Sequence, residues 1–338
     1  MRTQSPNSSF KPRQQTGIAL ITALLVVALA SIAAAAILSS ASIAIHRSGS
    51  LQDSEKAWWY ADGVEAWVKT IIDRSVKPNS AVSLADEWAK PVDYLPIDEG
   101  VIRGGIEDLQ GRLNLNNFGQ TYNGPAYNAN VLILERLLLL LEADPAQAKV
   151  IAAAIHDWID KDTQPSGFDG AEDADYLSQD LPYRTSGQPL ESVSEVLAIK
   201  GMTKDIFYKL THCTQTKTGF QSCITALPTI PTTINVNTAP EPILRSLIKQ
   251  PSSPALDSFI ASRTSKPYTN DGDAFQAAPK GFIAAADGVT ADMVSVKSNY
   301  FLMHTETFIG SGRVALYSFF YRPASGATIV LGRSTDIE

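Results

Sequence analysis

The chain has 338 residues, 44% of them hydrophobic, enough to fill the cores of one large or two to three modest domains. Its 35 acidic and 28 basic residues leave a formal net charge of -7, which argues against a general electrostatic grip on nucleic acid or anionic lipid. The basic exception is the extreme N-terminus, where Arg2, Lys11 and Arg13 stand without an acid.

From Ile18 to Ile45 no residue is charged. At about 1.5 Å per residue, a helix over this stretch exceeds the roughly 30 Å hydrocarbon thickness of a bilayer. Basic residues precede it and the first acid after it is Asp53. The positive-inside rule therefore leaves residues 1–17 in the cytoplasm and carries the rest across the membrane. Three readings fit the segment: an uncleaved anchor, a secretory signal cut near Ala33-Ala34-Ala35, or a third suggested by Gln14-Gln15-Thr16-Gly17. A basic, polar leader ending in Gly before an unbroken apolar helix resembles the signal cut by prepilin peptidase. That resemblance implies cleavage between Gly17 and Ile18, N-methylation of Ile18 and a retained anchor.

The continuation favours the third reading. Apolar groups recur at helical intervals (57/58, 61, 64, 68, 71/72), and no proline interrupts them before Pro78. One helix, half in lipid and half packed on a soluble domain, is the expectation. The fifth residue after the Gly17–Ile18 bond is Thr22, and nothing acidic lies between Gly17 and Asp53.

Beyond that helix, short alternating stretches (Val101-Ile-Arg, Ile106–Leu109, Arg112–Asn116), broken by Gly104-Gly105 and Gly111, predict strands with tight turns. Tyr300–Ile309, Arg313–Tyr321 and Ala327–Leu331 predict a closing antiparallel sheet. The middle reads as helical. Val131–Leu141 is too short to span a bilayer and predicts a buried helix. Asp144-Pro145-x-Gln147 predicts a capped helix start, and Ser192–Glu195 and Thr238–Glu241 predict capping boxes. The segment Glu195–Leu210, with Gly201 at its bend and Thr203 as a cap, resembles a helix-hairpin-helix. In an acidic, translocated domain its reading is a compact turn making protein contacts, with no nucleic acid.

Residues 157–176 concentrate carboxylates and glycines in one irregular stretch. Hard oxygen donors on a loop suit calcium. Asp160-x-Asp162-x-Gln164 opens like an EF-hand loop, but Pro165 stands where Gly is expected and Glu172 comes one step late, so the loop is not an EF-hand. A solvated acidic loop is the competing reading. Cys213 and Cys223 form no CxxC pair and have no His/Cys cluster beside them; free thiols or a local disulfide fit, and an oxidising compartment favours the disulfide.

Taken together, several segments resemble the type II (general) secretion pathway protein K family, the large minor pseudopilins. They are Gly17-Ile18-Ala19-Leu20 with Thr22, Ala57-Trp58-Trp59-Tyr60-Ala61, Asp157–Asp162, Asp169–Asp173, Pro182-Tyr183-Arg184, Pro189–Glu195 and Ile234–Ala239. The resemblance implies an α+β, type IV pilin-like fold: a long N-terminal helix on an antiparallel sheet, with a large all-α insert of two SAM-like units. Expected boundaries are a prepilin leader at 1–17, a transmembrane helix at 18–45 and the periplasmic part of that helix at 46–78. Sheet segments follow at 79–124 and 296–338, flanking a first unit with the acidic loop at 125–227 and a second unit at 228–295.

The resemblance further implies one or two Ca²⁺ ions with Asp160, Asp162, Gln164, Asp169, Glu172, Asp173 and Asp175 as candidate ligands. Implied partners are minor pseudopilins I, J and H, the prepilin peptidase, the inner-membrane secretion platform and the lipid bilayer. The expected role is a single-pass inner-membrane subunit with a periplasmic C-terminal domain, placed at the pseudopilus tip and initiating its assembly. A minor pilin of a type IV pilus is the alternative. No HExxH, GxSxG, P-loop or GxGxxG motif occurs and the four histidines are scattered, so no enzyme is expected.

Overall fold

A computed structural model describes residues 16–216, 219–275, 282–283 and 288–335; the leader expected at 1–17 lies outside them except for its last two residues. The first element, α1 (Thr16–Ser75), is a single helix of 60 residues, about 90 Å long at 1.5 Å per residue. Its apolar part is fully exposed in the isolated chain and is long and apolar enough to cross a membrane. Hydroxyls within that part turn back onto the helix. Thr22 Oγ1 donates to Ile18 O (3.1 Å) and Ala19 O (3.0 Å), and Ser31 Oγ donates to Val27 O (2.8 Å). These two hydroxyls are thus satisfied without water, as a hydrocarbon surrounding demands.

The second half of α1 lies on a five-stranded antiparallel sheet. Its strands are β1 (Val92–Ile97), β2 (Gly100–Asp108), β9 (Tyr300–Ile309), β10 (Gly312–Tyr321) and β11 (Ile329–Thr335), in the order β1-β2-β9-β10-β11. Ala61, Val68, Ile72 and Val76 bury their side chains against Phe301, Met303, Leu316 and Phe320, with Trp88 edge-on to Phe301 at 5.2 Å. This is the face predicted by the helical spacing.

Polar contacts set the register of helix on sheet. Glu65, 4% exposed, accepts Nε and Nη2 of Arg333 (2.6 and 2.7 Å) and the hydroxyl of Ser318 (2.7 Å), joining α1 to β10 and β11. At the β9–β10 turn, Asp53 accepts the Ser311 N–H (2.9 Å). Gly310 has φ +51° there, and a Cβ on Gly312 would sit 2.6 Å from the α1 backbone, so only glycines let helix and turn approach.

Between β2 and β9 the chain forms the helical region. It contains β3 (Leu113–Asn114), α2 (Pro125–Leu140), α3 (Gln147–Ile159), α4 (Asp173–Leu177), α5 (Lys204–Thr211), β4 (Thr214–Thr216), β5 (Gly219–Gln221) and β6 (Ile224–Thr225). It continues with β7 (Ile234–Asn235), α6 (Glu241–Ser246), α7 (Pro254–Ser262) and β8 (Val294–Ser295). One core joins Ile133, Leu134, Ile151 and Ile155 to Leu113, Phe118, Leu244 and Val294. The molecule is therefore α+β. Cys213 and Cys223 are joined as a disulfide with Cα atoms 5.7 Å apart, across the β4–β5 hairpin.

Three local readings differ from the structure. Gly104-Gly105 is no turn: β2 runs straight through it, because a Cβ on Gly104 would sit 2.2 Å from His304 O on β9. The helix expected to open at Asp144 starts at Gln147, since Asp144 instead caps a turn through the Ala146 N–H. Thr238 caps nothing; its hydroxyl donates to the buried carboxylate of Asp108 (2.6 Å). By contrast, the Ser192–Glu195 capping box and the Thr203 cap on α5 are both formed.

Burial opposes a charge on Glu65, but the Arg333 and Ser318 hydrogen bonds outweigh it and hold the carboxyl below its ordinary value. A depressed folded-state acid contributes stability at neutral pH that is lost as pH falls through its folded value. Glu65→Gln is expected to cost about 1–3 kcal/mol at pH 7. In denaturant titrations the variant should lose less stability than the wild type between pH 5 and 3.

Candidate functional site

The site forms where α3 ends. Ala148, Ile151, Ala152 and Ile155 turn α3 into the core, and the same helix carries Asp157 inward to zero exposure. The Asp157 carboxylate accepts the backbone N–H of Ala171 (2.7 Å) and Ser166 (3.1 Å), which fold the acidic loop back over the helix end. Gly170 must be glycine, since a Cβ there would lie 2.2 Å from Asp157 Oδ2. Lys200 Nζ donates to Gly170 O (2.9 Å), and the Gly187 N–H donates to Trp158 O (3.0 Å), closing the loop's far side.

Asp157, Asp160 and Glu172 each offer an oxygen, and the three oxygens lie within 4.8 Å of one another. Glu172 is 2% exposed, and among the described residues no well-formed hydrogen bond reaches either of its oxygens or Asp160 Oδ1. Burial, then the charges of Asp157, Asp160 and Asp162, push the Glu172 carboxyl up to about 7. Burial and Asp162 likewise raise Asp160, partly offset by His156. Buried carboxylates this close are costly without a counter-charge, so the arrangement suits a cation.

The other candidates are disposed differently. Asp162 is exposed and accepts the Gln164 N–H (2.8 Å), Gln164 is exposed, and Asp169 is half-buried. Asp173 is engaged by Arg184 and by the Thr185 N–H (3.0 Å). Asp175 accepts the Glu172 N–H (3.1 Å) and lies 4.0 Å from Lys200. Asp157 was absent from the sequence-derived ligands, although its three-residue spacing from Asp160 puts both on one helix face. His156 stands at the pocket's edge: its Nδ1 is 2.8 Å from Phe118 O, while Nε2 stands 3.5 Å from Asp160.

Fold and site define an α+β protein carried on one membrane-length apolar helix, with a pocket of desolvated carboxylates in its helical region. Models of type II secretion system protein K match residues 111–214 and 234–297. Type II secretion system protein K of Aeromonas hydrophila is 29% identical over 342 residues, covering 95% of this chain and 97% of that protein. The protein of the same name from Pectobacterium carotovorum subsp. carotovorum is 32% identical over 235 residues, covering 68% of each chain. The chain belongs to the type II secretion system protein K family. In fold it matches a chain of the GspK-GspI-GspJ complex from enterotoxigenic Escherichia coli, with a TM-score of 0.65, 23% identity and coverage of 86% of this chain and 100% of that one.

Opposite effects are expected at neighbouring carboxylates in metal-free protein. Glu172→Gln removes one of three crowded charges and should raise stability by on the order of 1 kcal/mol. Asp157→Asn weakens the acceptor for two backbone donors and should lower it by about 1–3 kcal/mol. Thermal unfolding in chelator checks both signs.

Proposed function

We propose that the chain is a minor pseudopilin that sits at the tip of the pseudopilus with minor pseudopilins I, J and H and initiates its assembly for protein export. The observation that carries this reading is α1: one uninterrupted helix whose apolar half has no carboxylate and whose Thr22 hydroxyl is bonded to its own backbone. A subunit with no acid at that depth offers no partner to the N-terminal ammonium of another subunit, so the end of the filament suits it. The bulk of the helical insert, read as two SAM-like units on a type IV pilin-like core, argues the same way, because it would obstruct a repeating position. The similar E. coli structure, a complex of GspK with GspI and GspJ, supports I and J as partners.

The orientation that follows is a leader in the cytoplasm, removed by prepilin peptidase between Gly17 and Ile18 with methylation of Ile18. The apolar helix stays in the inner membrane on the secretion platform, and the α+β body stands in the periplasm. The role is structural, with no catalytic step assigned.

The carboxylate pocket fits calcium by its chemistry: oxygen donors alone, desolvated and short of positive partners. Asp157, Asp160 and Glu172 are the residues placed to hold the ion, with Asp162, Gln164 and Asp169 as further donors on the same loop. Calcium there supplies the positive charge that lets these carboxylates stay ionised together.

Affinity purification of the full chain from detergent-solubilised membranes tests the assembly reading. Co-purification of minor pseudopilins I and J in comparable amounts is expected; recovery of the chain without either would contradict it.

A further inference from the structure

The helical region repeats itself. In its first part, Asn114 Oδ1 accepts the Asn116 N–H, and Asn116 clasps the backbone of Leu190, accepting its N–H (2.8 Å) and donating to its C=O (2.9 Å). In its second part, Asn235 Oδ1 accepts the Asn237 N–H, and Asn237 clasps Tyr268 in the same way, at 2.9 Å for both bonds. Each first asparagine ends a two-residue strand in a parallel pair, β3 with β6 and β7 with β8.

The correspondence continues after each clasped residue, both of which follow a proline. Ser192 Oγ accepts the Ser194 N–H and Glu195 accepts the Glu191 N–H; at identical spacing, Asn270 accepts the Gly272 N–H and Asp273 accepts the Thr269 N–H. Further on, Gly201-Met-Thr203-Lys-Asp205-Ile206 matches Gly288-Val-Thr290-Ala-Asp292-Met293, the glycines at φ +86° and +84°. So many side-chain-to-backbone bonds at matched positions mark two copies of one unit.

The copies differ in how they return from the second helix to the clasped residue. The second copy goes from α7 to Tyr268 through residues 263–267 alone, whereas the first takes the whole of 160–189 to pass from α3 to Leu190. Counted back from the last residue of each helix, Asp157 stands where α7 has Ile260. The copy without the long loop thus has an apolar residue where the copy with it has the buried acid that holds the loop down.

We propose that residues 160–189 are a cation-ordered strap added to the first copy, and that the rest of the soluble body folds without it. This rests on the calcium reading of the pocket above. The strap is seated at one place by apolar contact, where Ala171 and Tyr176 enter the core and Tyr183 stacks on Tyr176. Around that seat Phe168 and Leu181 are exposed, and the remaining hold is polar, through Asp157, Lys200 and the Trp158 carbonyl. Asp160 and Glu172 lie on the strap and Asp157 on α3, so a cation shared among them pins strap to helix. Without it, three crowded carboxylates push the strap open while both asparagine clasps remain.

Limited trypsinolysis of the full chain in detergent, with calcium uptake followed by calorimetry, tests this. Calcium chelation should speed cleavage after Lys161 and Arg184 by about tenfold or more, the range of a local opening, while sites in the rest of the body stay protected. A second variant replaces residues 160–188 by residues 263–266 and carries Asp157→Ile; it should unfold in one cooperative transition indifferent to chelator. Calcium uptake by the wild type with cleavage spreading through both copies on chelation would overturn the strap and leave the metal reading intact. Absence of calcium uptake would overturn the metal reading and the strap with it.

Discussion

One helix has to satisfy two solvents, and the rest of the molecule is arranged around that constraint. Over its first half α1 presents apolar side chains, and Thr22, Ser31 and Ser40 turn their hydroxyls onto its own carbonyls. From Asp53 onward the same backbone carries acids, and each of three is used by the sheet: Asp53 by the β9–β10 turn, Glu65 by Ser318 and Arg333, and Asp73 by the Thr328 N–H (2.8 Å). The change from self-satisfied to sheet-satisfied polar groups marks where lipid would give way to protein. Because no break interrupts the helix, a force or tilt applied to the anchor passes directly into the sheet.

The helical region is attached to that sheet through a small apolar cluster, in which Leu227 packs with Tyr300 and Leu302 of β9, and through buried polar contacts. Asp108, fully buried, closes β2 and accepts from Ser298, Thr238 and Asn235, so one carboxylate joins the sheet to the second copy of the repeated unit. Burial raises its pKa against the pull of those donors. Among the described residues the cluster of crowded carboxylates lies in the first copy. Both copies share the asparagine clasps, at Leu190 and at Tyr268, and the proposed cation response belongs to the strap alone.

Much of this was legible in the sequence because periodicity and capping are local. The α1 spacing at 61, 68 and 72 names the face that meets Phe301 and Phe320, and the Ser192–Glu195 and Thr203 caps form as their residue types require. What escaped was non-local. Gly104 punctuates nothing by itself; only the nearness of His304, far along the chain, explains it. Thr238 abandons its cap because Asp108, buried and needing donors, is a stronger partner. Asp157 directly follows His156 in the sequence, and only the fold shows Asp157 beside Glu172 while His156 reaches the Phe118 carbonyl. Of the other acidic candidates, Asp173 is engaged by Arg184 and Asp175 by the Glu172 N–H, contacts that residue type and spacing alone do not reveal.

The account stands on α1 remaining whole in the membrane after processing. The most direct measurement is the N-terminal sequence and mass of the mature protein recovered from the membrane fraction. A single species beginning at N-methylated Ile18 is the predicted result. A soluble species beginning near Ile37, stripped of the apolar half of the helix, would contradict it.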